Sequence, residues 1–415
     1  MSEYAAARLD WLSERLGRAV SRCSLDDDVD KLNKLSRVRF ALVKYCGKEE
    51  GEEEEQGRLV FKEALADAEN KRLGLAREAL FYSHWRDLEK ADGCSRCEID
   101  SVLPRVYHAE GSMDTGAKLI VMADLSDECV QSGYFFGLGN PNNWGKDLAA
   151  LRGDDKPPLS VAQVTALAFS AAAKLHAPFW GSRALGSVSW LRASGWVRGA
   201  DEAAWSEAQA SARANWQHVK AQIERGEAKA KWDPRLVACV DASVGRASPE
   251  RGGWAAYQAE LAARPFTLVH GDFHPANMLV RRRAGPSDAD AAADGAAAQL
   301  LLVDWEAVGV GSGPQDLGQY LLSHATPDER AALERPAVAA YYAELTALNP
   351  AVAASMSLEQ CWAEVVQGGL GRWIYFLTFD GFGGPAAVSQ FFHDQVLAFV
   401  EAHGVTPDAA PMPRV

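Results

Sequence analysis

The chain of 415 residues has few cysteines and no long apolar segment. Seven cysteines, an odd number spread along the chain, do not make a disulfide framework. Cys94 and Cys97 form one CxxC pair without the second pair of a zinc ribbon, so we interpret them as loop thiols. No apolar run reaches the roughly 18 residues of a membrane span, and the acidic N-terminal stretch lacks the apolar core of a secretory signal. We therefore expect a soluble, cytoplasmic protein with no membrane partner.

Basic residues are outnumbered by acidic residues. The sequence has 43 Lys and Arg against 56 Asp and Glu, which gives a net charge of −13. This balance disfavours nucleic acid as a partner and mildly favours cationic small molecules. The chain is long for a single hydrophobic core, so we expect two lobes. The oligomeric state cannot be predicted from these features.

The first 125 residues have the pattern of a small sheet lobe. The stretches "SRVRFALVKYC" and "RLVFKEAL" have strand character and flank an acidic segment at 47–57, which predicts a β-hairpin. One helix is predicted over 70–90, followed by two short strands in "LPRVYHAEG" and "AKLIVMADLSD". After residue 125 helical patterns dominate, as in the amphipathic stretch 161–176. The sequence thus predicts an α+β fold with an N-terminal lobe at 1–125 and a large, mainly helical lobe at 126–415.

Polar residues are concentrated in the stretch "LVHGDFHPANMLV" at 268–280, whose apolar flanks predict strands. The next apolar strand, "LLLVDWEAVG", ends in Asp304 and then Glu306. If the two strands are antiparallel neighbours, Asn277 and Asp304 face each other with the oxygen ligands that Mg²⁺ prefers. Asp272 would stand nearby as a carboxylate that accepts a proton from a hydroxyl group. This combination predicts phosphoryl transfer.

An insertion separates these two strands. The stretch "RRRAGPSDADAAADGAAAQ" at 281–299 is rich in Ala and Asp and contains too few apolar residues to form a core of its own. We expect it to be the exposed tip of a hairpin.

The motifs "HGDFHPANML" and "LLLVDWEAVGVGSGPQDLG" resemble the catalytic core of the aminoglycoside-phosphotransferase and choline-kinase group of protein-kinase-like enzymes. They are most similar to its CHK-kinase-like, or ecdysteroid-kinase-like, branch. The resemblance covers most of the chain and implies a two-lobed protein-kinase-like fold. It implies that Asp272 is the catalytic base or orients the substrate hydroxyl, and that Asn277 and Asp304 bind Mg²⁺. Asp316 in "GPQDLG" resembles an aspartate that braces the catalytic loop.

The resemblance extends to the small lobe. The strand "RLVFKEAL" is similar to the one that carries the nucleotide-phosphate lysine, which would be Lys62, and "REALFY" would supply its partner, Glu78. The stretch "LIVMADLSD" resembles the connection between the lobes, where Met122, Asp124 and Leu125 would offer backbone groups to adenine. ATP and Mg²⁺ are the implied cofactors.

One element of such kinases is missing from the sequence. A glycine-containing turn usually covers the phosphates, because only glycine lets the backbone approach so closely. Here the chain has no glycine between Gly17 and Gly47. Either Ser36 and its neighbours form a looser lid, or part of the first hairpin is absent.

Three functions remain open from the sequence. The leading hypothesis is an ATP- and Mg²⁺-dependent kinase for a small-molecule hydroxyl, with choline-like compounds, aminoglycosides, sugars or sterols as substrates. A catalytically weak pseudokinase that acts as a binding or scaffolding module is the alternative favoured by the missing glycine. A metal-dependent hydrolase built on His270, Asp272 and His274 would need more ligands than the nine scattered histidines offer. Four tryptophans offer aromatic faces for a quaternary amine: Trp180, Trp190, Trp305 and Trp373.

Overall fold

The computed structural model describes residues 8–25, 31–32, 36–46, 55–91, 98–153, 159–281, 298–379 and 384–414. Cys94, Cys97 and the central parts of the two predicted insertions lie outside these ranges.

A six-stranded antiparallel sheet forms the N-terminal lobe. Its strands are β1 (Val20–Leu25), β2 (Lys31–Leu32), β3 (Arg37–Tyr45), β4 (Gln56–Ala64), β5 (Val106–Gly111) and β6 (Lys118–Ala123). They are ordered β1-β3-β4-β6-β5, and β2 pairs with β3. The predicted hairpin is confirmed as β3 and β4, and the two later strands are confirmed as β5 and β6. Because β1 also pairs with β3, a strand upstream of the hairpin is present.

The small lobe contains more helices than the sequence pattern predicts. They are α1 (Leu9–Leu16), α2 (Ala68–Leu73) and α3 (Arg77–Ala91). The prediction of a single helix over 70–90 is wrong because Gly74, at φ 72°, ends α2 in a left-handed cap before α3 begins. The additional helix α1 buries Leu12 against Val20 and Val43 of the sheet.

The C-terminal lobe is mainly helical. Its helices are α4 (Leu148–Arg152), α5 (Val161–His176), α6 (Glu202–Arg225), α7 (Pro234–Arg246), α8 (Gly253–Ala262), α9 (Gly313–Ser323), α10 (Pro327–Leu348), α11 (Ala351–Ser355), α12 (Leu358–Leu377) and α13 (Ala386–Ala402). Its strands are β7 (Cys129–Gln131), β8 (Thr267–Val269), β9 (Met278–Arg281), β10 (Leu300–Leu302) and β11 (Gly309–Gly311). The predicted α+β architecture of a small sheet lobe and a large helical lobe is confirmed, while the division at residue 125 stays a prediction.

Helices α9 and α12 form the closest helix pair of the large lobe. A Cβ atom on Gly318 would lie 2.2 Å from the carbonyl oxygen of Val365, and one on Gly369 would lie 2.6 Å from the Cα atom of Gly318, so the two backbones touch where neither glycine could be larger. This contact fixes α9, whose first turns reach the polar loop after β8. In the part of the chain that the structure describes, no helix is both long and apolar enough to cross a membrane.

Strands β9 and β10 form the antiparallel pair predicted on either side of the Ala- and Asp-rich insertion. Val280 lies opposite Leu300, and the amide of Arg281 donates to the carbonyl of Gln299 at 2.9 Å, so the hairpin stem is closed by its own ladder. We expect replacement of residues 284–297 by a short Gly/Ser turn to leave the melting temperature and activity nearly unchanged, because loop length costs little. Thermal denaturation of the two chains tests this, and a large loss of stability would show that the insertion packs on the fold.

Candidate active site

The loop between β8 and β9 is held from below by a buried aspartate. Asp316, in the first turn of α9, accepts hydrogen bonds from the amides of His270 at 2.8 Å and Gly271 at 3.3 Å. Gly271 has φ 77°, and a Cβ atom there would lie 2.2 Å from the carbonyl oxygen of Ala307, so no larger residue fits. The role predicted for Asp316, bracing the loop, agrees with these contacts.

The carboxylate of Asp272 stands on this loop with a side chain that is 38% exposed. One oxygen accepts a hydrogen bond from Gln319 at 2.9 Å, and the other accepts one from Asn277 at 2.9 Å and lies 3.3 Å from Nε2 of His274. Burial alone would raise the pKa of Asp272, but His274 and Arg372 outweigh it and hold that pKa below its ordinary value. Asp272 is therefore an ionised carboxylate, fixed in orientation and open to the cleft.

Asn277 is oriented by the same aspartate. Its side-chain nitrogen donates to the backbone carbonyl of Asp272 at 3.0 Å and to the carboxylate at 2.9 Å. The nitrogen is thus used inside the loop, and the amide oxygen is left for a ligand. The amide of Val303 donates to the Asn277 carbonyl at 3.0 Å, which ties the loop to the strand that leads to Asp304.

Lys62 of β4 contacts one acidic residue in each lobe. Its ammonium nitrogen lies 2.7 Å from Oε2 of Glu78, on α3, and 2.9 Å from Oδ1 of Asp304, in the large lobe. Lys44, a lysine on the neighbouring strand β3 that could also be considered for the phosphates, lies opposite Gln56 at the other end of the hairpin, roughly 20 Å away along the strand. The structure therefore brings Lys62 to Glu78 and leaves Lys44 outside the site.

A second lysine, Lys118, also reaches Glu78. It is fully buried at the start of β6, with its ammonium nitrogen 2.7 Å from Oε2 of Glu78 and 2.5 Å from Oε1 of Glu306. Burial alone would raise the pKa of Glu78, but the ammonium groups of Lys118 and Lys62 lower it to about 2. Sequence reasoning missed Lys118 because a lysine at the start of an apolar strand is usually a solvated strand end.

Asp304 and Trp305 join the two lobes at the end of β10. Asp304 has φ 68°, the left-handed region that few residues other than glycine adopt, which turns its carboxylate into the cleft. Trp305 is fully buried and stacks on Phe81 of α3 with ring centroids 4.0 Å apart, and it also contacts the His270 ring at 4.5 Å. The aromatic contact holds the helix that carries Glu78 against the large lobe.

The donor atoms near Asp304 fit a hard cation. Among the described residues, carboxylate oxygens of Glu78, Asp304 and Glu306 lie within 4.8 Å of one another. They surround the ammonium groups of Lys62 and Lys118, and three carboxylates against two lysines leave one negative charge in excess. Oδ1 of Asp304 faces Lys62. Its second oxygen and the amide oxygen of Asn277 are oxygen donors of the kind that Mg²⁺ takes, and Mg²⁺ binding by these two residues stays a prediction.

The connection between the lobes is formed by the residues after β6. Met122 lies inside the ladder, opposite both Val60 and Val106. The amide of Asp124 donates to the carbonyl of Arg58 at 3.2 Å, and the Leu125 carbonyl accepts the amide of Cys129 at 2.8 Å. These groups are used to hold the connection itself, and adenine binding at Met122, Asp124 and Leu125 stays a prediction.

A strand lysine paired with a helix glutamate faces a loop that carries an aspartate and an asparagine, in the cleft between a sheet lobe and a helical lobe. This is the two-lobed protein-kinase-like fold that the sequence resemblance implied.

No family model and no curated protein matches the chain. Solved structures similar to it include three kinases or kinase-family proteins. A choline/ethanolamine kinase family protein from Mesorhizobium loti is 17% identical with a TM-score of 0.37, over 98% of this chain and 95% of that one. A choline kinase from Cryptosporidium parvum Iowa II is 10% identical with a TM-score of 0.42, over 92% and 89%. The Plasmodium vivax ethanolamine kinase is 9% identical with a TM-score of 0.44, over 97% and 86%.

These structures carry names from the broader group that the sequence resembles, and the ecdysteroid-kinase-like branch stays a prediction. At such identities and TM-scores, the substrates of those kinases say nothing about the substrate of this chain.

Proposed function

We propose that the protein is a kinase that uses ATP and Mg²⁺ to phosphorylate a hydroxyl group of a small molecule. The observation that carries this proposal is the position of Lys62, 2.7 Å from Glu78 and 2.9 Å from Asp304. A lysine held extended between a helix acid and a cleft acid is ready to contact the β- and γ-phosphates. The site then performs phosphoryl transfer mainly by positioning and by charge neutralisation.

Each polar residue of the cleft has a task in this proposal. Asn277 and Asp304 would hold Mg²⁺, which supplies positive charge to the phosphate oxygens. Lys62 contacts the phosphates, and Glu78 keeps it extended. Asp272 accepts the hydrogen bond of the substrate hydroxyl and aims its oxygen at the γ-phosphorus. Because the pKa of Asp272 is lowered, orientation of the hydroxyl contributes more than proton abstraction before the transition state.

The first experiment is a thermal-shift measurement with ATP and Mg²⁺, each alone and together, followed by ATP-consumption assays on a panel of hydroxyl compounds. The proposal expects stabilisation by ATP that requires Mg²⁺, and ATP consumption that depends on an acceptor. Stabilisation without turnover on any acceptor would favour the pseudokinase. Absence of Mg²⁺-dependent ATP binding would refute the kinase proposal.

Lys62→Ala is expected to weaken ATP binding or turnover by at least about tenfold, roughly 1.4 kcal/mol, because the phosphates lose their charged contact. Isothermal titration with Mg·ATP and steady-state kinetics measure the two effects. Lys44→Ala, the same change on the neighbouring strand, is the matched control and should alter either value by less than about threefold. Loss of ATP binding or turnover in Lys44→Ala, with both retained in Lys62→Ala, would overturn the assignment of Lys62 as the lysine that contacts the phosphates.

A further inference from the structure

A small pocket lies directly beside the catalytic loop. It has a volume of about 70 Å³ and is bordered by Gly271, the residue before Asp272, and by Ala307 and Gly309 on the segment after Asp304. A cavity of this size takes the end of a ligand rather than a whole large molecule. Four arginines line it: Arg192, Arg264, Arg372 and Arg414.

Two of these arginines are neutralised by acidic partners. Arg264 lies 3.3 Å from Glu260 and 3.3 Å from Glu364. Arg414 lies 3.3 Å from the same Glu364. Two carboxylates thus balance two guanidinium groups, and this half of the pocket carries no excess charge.

The other two arginines have no carboxylate partner among the described residues. Arg372 is 8% exposed; it donates to the carbonyls of Gly271 at 3.1 Å and Arg414 at 3.3 Å, and its Nε is buried without a hydrogen-bond partner. The half-buried guanidinium of Arg192 makes no hydrogen bond or ion pair within the described ranges, and its backbone bridges to Gly309. Arg192 and Arg372 therefore bring two guanidinium groups to the pocket without an ion pair, and the carboxylate of Asp272, beside the pocket, favours the charge of both.

Bringing these two cations together costs free energy. Burial and the neighbouring charge of Arg192 lower the pKa of Arg372 to about 9, because each positive charge opposes the other. A buried charge without a partner destabilises a fold unless something compensates it. An anionic ligand would compensate both, since guanidinium groups bind carboxylate and phosphate oxygens through paired, charge-assisted hydrogen bonds.

We infer that this pocket binds an anionic group of the acceptor substrate, a carboxylate or a phosphate ester, while the substrate hydroxyl reaches Asp272. The inference rests on the proposed kinase function and names the substrate class for that site. It goes against the mild preference for cationic small molecules that the net charge gave, and it narrows the substrate classes that the sequence left open. Trp305 and Trp373, two of the four tryptophans considered for a quaternary amine, are core residues with exposures of 0% and 3%.

The test compares three acceptors of the same length that differ in the charge of one end group, together with one phosphate ester. The probes are ω-hydroxyvalerate, its neutral amide and the amino alcohol of the same length, with glycerol phosphate as the phosphate arm. Binding to the full-length protein is measured by thermal shift and isothermal titration. We expect the two anions to raise the melting temperature and the neutral and cationic compounds to leave it unchanged. A stronger response to the glycerol phosphate or to the hydroxy acid identifies the anionic group that the site prefers.

Arg192→Gln is expected to weaken binding of the anions by at least about tenfold. Without ligand its melting temperature should equal or exceed that of the parent, because the change removes a repelling charge. Arg192→Lys keeps the charge and should retain most of the affinity. Arg198→Gln, on an exposed position of the same segment, is the matched control and should bind like the parent.

Equal anion affinity in Arg192→Gln and the parent, or a preference for the amino alcohol, would overturn the inference. Mg·ATP binding is measured in parallel to separate it from the proposed function. Retained Mg·ATP binding without anion binding refutes the anion pocket alone. Retained anion binding without Mg·ATP binding refutes the kinase proposal and leaves an anion-binding pocket.

Discussion

Asp272→Asn is expected to lower turnover by about 10²-fold or more while Mg·ATP binding stays largely intact. The amide keeps the shape of the carboxylate, but it removes the negative charge that aims the hydroxyl. Gln319 and Asn277 now each donate a hydrogen bond to one carboxylate oxygen of Asp272, at 2.9 Å. In the variant, the new NH₂ group would replace one of these oxygens and face a donor. Steady-state kinetics on a responsive acceptor and titration with Mg·ATP measure the two quantities.

The matched control is Asp241→Asn, the same chemical change elsewhere in the large lobe, where the carboxylate pairs with Lys220 at 3.0 Å. Its turnover should equal that of the parent. If Asp272→Asn also turns over at the parental rate, Asp272 has no part in the mechanism.

Glu78→Ala should produce the largest loss of stability, about 3 kcal/mol or more of the free energy of unfolding. Glu78 is 1% exposed and lies 2.7 Å from both Lys62 and Lys118, whereas Glu306 lies 2.5 Å from Lys118 but 3.6 Å from Lys62. Its removal leaves the fully buried Lys118 with Glu306 alone. Urea denaturation measures the change.

Asp87→Asn, at an exposed acid of the same helix, is the control for Glu78→Ala and should change stability by less than about 0.5 kcal/mol. A loss below about 1 kcal/mol in Glu78→Ala would mean that the two lysines do not depend on it.

The sequence predicted the site best where the chemistry lies in one short segment. Asp272 and Asn277 share a loop of a few residues, and antiparallel pairing of the strand after this loop with the strand that leads to Asp304 was predicted from their apolar pattern. Lys62 and Glu78 are separated by the end of β4, the short helix α2 and the start of α3, and their pairing was anticipated from the sequence resemblance. The break at Gly74 was missed because a single glycine within a helical pattern does not by itself show where a helix ends.

The residues that sequence reasoning missed come from distant segments. The site receives side chains from β6, α9 and α12, namely Lys118, Gln319 and Arg372. No local sequence pattern indicates where these side chains point. Net charge does not describe a single site for the same reason. A total of −13 describes the whole surface, whereas two unpaired arginines determine the charge of one small pocket.

The shared contact of Glu78 with two lysines bears on how nucleotide occupancy and conformation are coupled. Lys118 holds Glu78 at 2.7 Å independently of Lys62, and Glu306 ties Lys118 to the large lobe. A ligand shifts a conformational equilibrium only as far as its affinity differs between the two states. Because Lys118 would hold α3 in both states, nucleotide binding would gain little free energy by moving that helix. Under the proposed function, we therefore expect the orientation of α3 to be the same with and without nucleotide.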